Sequence, residues 1–138
     1  MEMISQLLIG LVAIGVATTS HYLVLARVQE LVNKIALSKY TSLLTVCYGI
    51  TLSQLLCTLW FAMAFEVSLY FGLGHFADPT VGFIDIFYFS LINLTTLGMA
   101  QVEPFGHINL LMGLEAMTGF LLVSCSASMI FKIMNRGK

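Results

Sequence analysis

Groups able to do chemistry are sparse in this chain, and two of them stand where they are costly. Glu115 interrupts an apolar run from Gly106 to Phe131. Asp85 stands near the head of a second apolar stretch, Phe83 to Ala100, which contains Thr95, Thr96, Leu97 and Gly98 towards its end. An ionisable group inside such a run is functional by default, because burying it in lipid is expensive. Asp85 at the head of a short helix can accept hydrogen bonds from the first free amides. The far end of that helix then carries partial negative charge, with Thr-Thr-Leu-Gly following it. Backbone carbonyls beside a negative helix end suit a cation in a central cavity. Glu115 is expected to brace the short helix, or the segment after it, from behind. No nucleophile–base pair, phosphate-binding loop or metal cluster occurs, so an enzyme is not expected.

The remaining polar groups have plainer readings. Cys47, Cys57 and Cys125 all fall in apolar stretches, without zinc spacing, and read as reduced thiols. Met99 has no companion Met or Cys nearby, which argues against a soft-metal site. His21 follows Thr18, Thr19 and Ser20, a patch suited to hydrogen bonds between helices. Glu66 reads as an interfacial, snorkelling side chain, and His75 and His107 as solvated connection residues.

The elements that must position these groups follow from composition. Apolar residues make up 59% of the 138 and charged residues 9%, against about 25% charged in an ordinary globular domain. A bilayer core of about 30 Å needs roughly 20 apolar helical residues. Met3 to Ala26, Tyr40 to Phe65 and Gly106 to Phe131 each meet that length. The stretch from Phe83 is too short for a further span. Charge asymmetry agrees: no Lys or Arg precedes Arg27, and none lies between Lys39 and Lys132. With three spans and an outside N-terminus, Arg27, Lys34, Lys39, Lys132, Arg136 and Lys138 all face the cytoplasm, as positive residues prefer. The segment from Phe83 is then re-entrant, and irregular backbone at that depth requires protein or a watery cavity around it. Arg27 to Lys39 reads as an amphipathic continuation of the first helix.

Four stretches, in order, resemble the pore domains of bacterial potassium-channel-like proteins. They are Leu59-Trp60-Phe61-Ala62, Ile86-Phe87-Tyr88-Phe89-Ser90, Leu94-Thr95-Thr96-Leu97-Gly98 and Glu115-Ala116-Met117-Thr118-Gly119. The second is similar to the family's pore-helix "A-L-Y-F-S", the third to the start of "T-T-L-G-Y-G-D", and the last to "E-A-x-x-G". Pro104 falls where the family has a proline after its filter. The resemblance implies an all-α membrane protein with three transmembrane helices, a re-entrant pore helix and a filter loop, assembled as a homotetramer. Residues 1–39 form the added first helix and its connector, and residues 40–138 the pore domain. It implies a filter at Thr96, Leu97, Gly98, Met99 and Ala100, an outer mouth at Gln101 and Glu103, a hinge at Gly119, and Glu115 supporting the filter. Monovalent cations, K+ or Na+, would be held at Thr96, Leu97 and Gly98 and would be the permeant ions. No cofactor, nucleic-acid partner or soluble ligand domain is expected, only membrane lipid and the other subunits, in a cell (inner) membrane.

The filter departs from the family after its third residue. Met99 replaces a tyrosine, Ala100 a glycine and Gln101 an aspartate. Alanine in the left-handed region costs roughly 1–2 kcal/mol, and a thioether is a poorer hydrogen-bonding group than a phenol. Gln101 removes a carboxylate that Glu103 partly restores. The expectation is a cation channel with reduced discrimination among monovalent cations. The alternative is a non-conducting structural or regulatory member of the same fold. Gly113 and Gly119 serve the inner helix as hinge or as close-packing positions, and the sequence does not separate the two.

Overall fold

The structure, a computed structural model, describes residues 1–35, 38–97 and 102–135. In chain order its elements are α1 (Glu2–Lys34), α2 (Lys39–Tyr70), β1 (Gly74–Phe76), α3 (Phe83–Leu94), β2 (Pro104–Gly106) and α4 (Ile108–Met134). Helices hold 81% of the described residues. α1, α2 and α4 are long and apolar enough to cross a membrane, whereas α3 is short. The three long helices make this a membrane protein.

The first span and its connector form one continuous helix to Lys34, where a Glu30–Lys34 pair of 2.7 Å closes the last exposed turn. Ser38 then starts α2, its hydroxyl accepting the Thr41 amide at 3.3 Å. The boundary expected after residue 39 therefore lies just inside α2. Gln6, Gly10, Ala13, Ala17 and His21 make the buried stripe of α1. Small side chains in the middle of that stripe let the backbone approach its neighbours closely. The Cys57 thiol, for example, reaches the Ala17 carbonyl at 3.4 Å. The first helix, with no motif to place it, packs on α2 and α4 of the same chain.

The core lies where α2, α3 and α4 meet. Phe65, Phe76 and Phe89 form an aromatic triad with ring centroids 5.2–6.3 Å apart, backed by Phe61, Leu94, Ile108 and Leu111. The tilted and edge-on ring arrangements are the preferred ones.

The expectation of helices alone needs one correction: β1 and β2 pair antiparallel, Gly74 opposite Gly106 and Phe76 opposite Pro104. Gly72, at φ 66°, ends α2 by the turn that makes this possible. Its amide bonds Leu69 O at 2.9 Å and that of Leu73 bonds Ser68 O at 3.0 Å, the paired bonds of a Schellman cap. At the crossing of the strands a Cβ on Gly106 would lie 3.0 Å from the Gly74 Cα, so two glycines face each other. Such short strands have no periodic signature to read in advance. One more bond, Ala77 N to Glu103 O at 2.9 Å, continues the ribbon. The chain therefore leaves the ribbon at Ala77 and comes back to it at Glu103, with α3 inside the excursion.

Candidate functional site

α3 is fixed at both ends. At its start, Gly82 is the N-cap and Asp85 occupies the third helical position. Asp85 Oδ2 accepts the Gly82 amide at 2.9 Å. Asp85 was expected to cap the helix itself. The cap instead lies three residues earlier, at Gly82, and Asp85 reaches back to it, as the acidic half of a capping box does. Its charge still complements the positive end of the dipole.

The other end leads into Thr96 and Leu97, the first two residues of the filter expected from sequence. Thr96 N bonds Asn93 O at 2.9 Å and Leu97 N bonds Ile92 O at 3.2 Å. This is the same cap that ends α2, with Thr96 at φ 59° in the place that Gly72 holds there. Thr96 is the one non-glycine residue at positive φ among those described, and a β-branched side chain is disfavoured there. The Thr95 hydroxyl is spent on the Leu91 and Ile92 carbonyls at 3.1 and 2.9 Å. Thr95, Thr96 and Leu97 are exposed, Leu97 to 70%. Of the filter expected from sequence, Thr96 and Leu97 are thus placed as an uncovered turn at the tip of α3. Gly98, Met99, Ala100 and Gln101 lie outside the described residues.

Behind this tip is a polar node centred on Glu115, which is completely buried. One carboxylate oxygen meets the Ser90 hydroxyl and the other accepts from Asn93 Nδ2 at 2.7 Å. Asn93 gives its second amide hydrogen to Met112 O at 2.8 Å. The Ser90 hydroxyl also reaches Thr58 O on α2 at 3.1 Å. A buried carboxyl needs such partners, and here they come from the short helix it was expected to brace. Ser90 and Asn93 are three residues apart, so they share the face turned to α4. Asn93 was missed; its signal was an amide one turn from a serine in an otherwise apolar helix.

Gly119 lies one turn beyond Glu115 on α4 and seats the end of α3. A Cβ there would overlap the Leu94 carbonyl oxygen and come within 2.7 Å of its carbon. α4 runs through this position without a break. Gly119 therefore packs closely against the end of α3, which is one of the two roles expected of it. Gly113, in contrast, has nothing within 4 Å of a would-be Cβ.

His21 joins three helices, its Nδ1 against the Ser53 hydroxyl on α2 and its Nε2 3.3 Å from Ser126 Oγ on α4. Ser126 already donates to Leu122 O at 2.8 Å. Nε2 must then carry the hydrogen and Nδ1 accept from Ser53. This assignment matches the expected interhelical role, although Thr19 and Ser20 bond only their own helix. Glu66 is partly buried near the end of α2. His75 stacks on Phe105 at 5.6 Å, and His107 lies 3.4 Å from Glu2. The cysteines are free thiols.

Glu103 is exposed and lines, with Asp78, Thr80 and Asp85, a cleft of about 420 Å³ beside the ribbon. The Thr80 amide and hydroxyl, 2.8 and 2.7 Å from Asp78 Oδ1, hold that carboxyl below the usual carboxylate range. No group of metal-binding side chains is found among the described residues. Comparison with family models, curated proteins and solved structures gives no match.

Proposed function

We propose that the chain forms a homotetrameric pore-loop cation channel, with α2 as outer helix, α3 as pore helix and α4 as inner helix. One observation carries this reading. The excursion from Ala77 to Glu103 starts and ends on one ribbon, is anchored inside by Glu115, and leaves its Thr95–Leu97 tip uncovered. An excursion closed on one ribbon is what a re-entrant segment requires, and other subunits can cover the tip. The carboxyl end of α3 directs partial negative charge to that tip, and a buried, desolvated helix end there favours a cation. In this reading the ribbon and the N-terminus face outward and Arg27, Lys34, Lys39 and Lys132 face the cytoplasm. The acidic cleft of Asp78, Asp85 and Glu103 then flanks the outer mouth.

Only Thr96, Leu97 and Gly98 retain the family's filter chemistry, so K+ and Na+ pass at comparable rates. The test is ion flux from proteoliposomes containing the purified tetramer, comparing K+, Na+ and a larger organic cation. Similar K+ and Na+ fluxes with exclusion of the larger ion support the proposal; a strongly K+-selective flux contradicts the weak selectivity. A second reading, a non-conducting subunit of the same fold, is favoured by Met99, Ala100 and Gln101. Absence of flux, persisting after Met99→Tyr, Ala100→Gly and Gln101→Asp are combined, would establish it.

A further inference from the structure

Both amide hydrogens of Asn93 are spent on α4, one on Met112 O at 2.8 Å and one on Glu115 Oε2 at 2.7 Å. These acceptors are three residues apart, one turn of α4. Immediately below, Gly119 admits the Leu94 carbonyl into contact with the α4 backbone. α4 therefore grips the last turn of α3 at three successive levels: Met112, Glu115 and Gly119. The grip ends where the exposed turn begins, because the Asn93 carbonyl accepts the Thr96 amide at 2.9 Å. One residue thus holds α4 with its side chain and the tip with its backbone. Ser90 differs. It lies a turn further back and divides its contacts between Glu115 and the Thr58 carbonyl of α2.

We infer that Asn93 is the positioning residue that couples α4 to the Thr95–Leu97 turn, so that displacement of α4 is transmitted to the filter rather than absorbed between helices. The assignment of that turn to a filter rests on the pore reading above; the mechanical coupling does not. A side chain with two bonds to one helix, both at full strength, fixes the rotation of α3 about its own axis as well as its distance. A single bond would fix distance alone. Asn93 is accordingly a selectivity-determining residue that need not touch an ion.

The test is amide hydrogen exchange, read at residues 95–97 in the full-length protein reconstituted in lipid nanodiscs. Wild type is compared with Asn93→Ala, Asn93→Asp, Ser90→Ala, and the exchanged pair Asn93→Asp with Glu115→Gln. Losing two bonds of ordinary strength raises local opening by about tenfold or more, so both single Asn93 variants should exchange at least that much faster at 95–97. Asn93→Asp is the more informative, since it keeps the shape while removing both donors and setting one carboxyl against another. The exchanged pair restores one acid–amide bond and should bring exchange back to within about threefold of wild type. Ser90→Ala should change residues 95–97 by less than about threefold. Exchange at 95–97 within twofold of wild type in Asn93→Asp overturns the inference, as does an equal loss of protection in Ser90→Ala. Flux is measured on the same samples. Absence of flux that persists after Met99→Tyr, Ala100→Gly and Gln101→Asp are combined defeats the conducting-pore reading and leaves the exchange result to decide the coupling. Wild-type flux with an unchanged K+/Na+ ratio in Asn93→Asp defeats the selectivity role.

Discussion

Gly119 and Gly113 lie on one helix and make opposite demands, which allows the packing at the tip of α3 to be measured. In Gly119→Ala the new methyl would stand 2.7 Å from the Leu94 carbonyl carbon and 3.0 Å from its Cα. Carbon atoms rest at about 3.5–4.0 Å, so the end of α3 must retreat by about 1 Å. Overpacking of this kind costs about 1–3 kcal/mol. The same retreat would stretch the Asn93 bonds, now 2.7 and 2.8 Å, beyond hydrogen-bonding range. Those add about 1 kcal/mol each, and one displacement causes all three losses, so the sum is roughly 3–5 kcal/mol per chain. Thermal unfolding in detergent should then shift down by about 10 °C or more. Gly113→Ala, with nothing within 4 Å, should leave the protein unchanged or stabilise it by roughly 0.5–1 kcal/mol, as alanine does in a helix. If Gly119→Ala unfolds at the wild-type temperature, or if both variants fall together, close packing is not what Gly119 supplies.

The two Schellman caps give a paired prediction with opposite signs. Gly72→Ala places a Cβ in the left-handed region with no steric neighbour, and should cost about 1–2 kcal/mol from backbone strain alone. Thr96→Gly relieves that strain but adds freedom to the unfolded chain, so stability should change by about 0–1 kcal/mol in the favourable direction; both are read from unfolding midpoints in detergent. His21→Ala removes a link to two helices and should destabilise by about 1–2 kcal/mol by equilibrium unfolding, given that interhelical bonds in membranes average about 0.6 kcal/mol each. Ser126→Ala should cost less than His21→Ala, because the Ser126 hydroxyl already donates within its own helix.

The long helices were legible because a span is a statement about length and composition, and both are printed in the chain. The polar centres were legible as residues, not as contacts. Glu115 and His21 announced themselves by being ionisable or polar in apolar surroundings, which marks a partner without naming it. Their partners Asn93, Ser90, Ser53 and Ser126 are neutral polar residues of kinds common in helices, and only three-dimensional register selects them. The ribbon was not legible: three-residue strands have no period, and their pairing joins residues as distant as Gly74 and Gly106. Asp85 was displaced by three positions in the helix because Gly82 offers no side chain that marks a cap. Gly119 shows the limit most clearly, since hinge and close packing ask for the same residue and differ only in what lies opposite.

The central claim is that the segment carrying α3 enters and leaves the membrane through one face. Single cysteines at Ser38, Thr80 and Glu103, placed in a chain whose native Cys47, Cys57 and Cys125 are replaced, can be labelled by a membrane-impermeant maleimide in oriented vesicles. Thr80→Cys and Glu103→Cys should react from one side and Ser38→Cys from the other. Reaction of positions 80 and 103 from opposite sides would make α3 part of a crossing segment and remove the pore loop on which the proposed function depends.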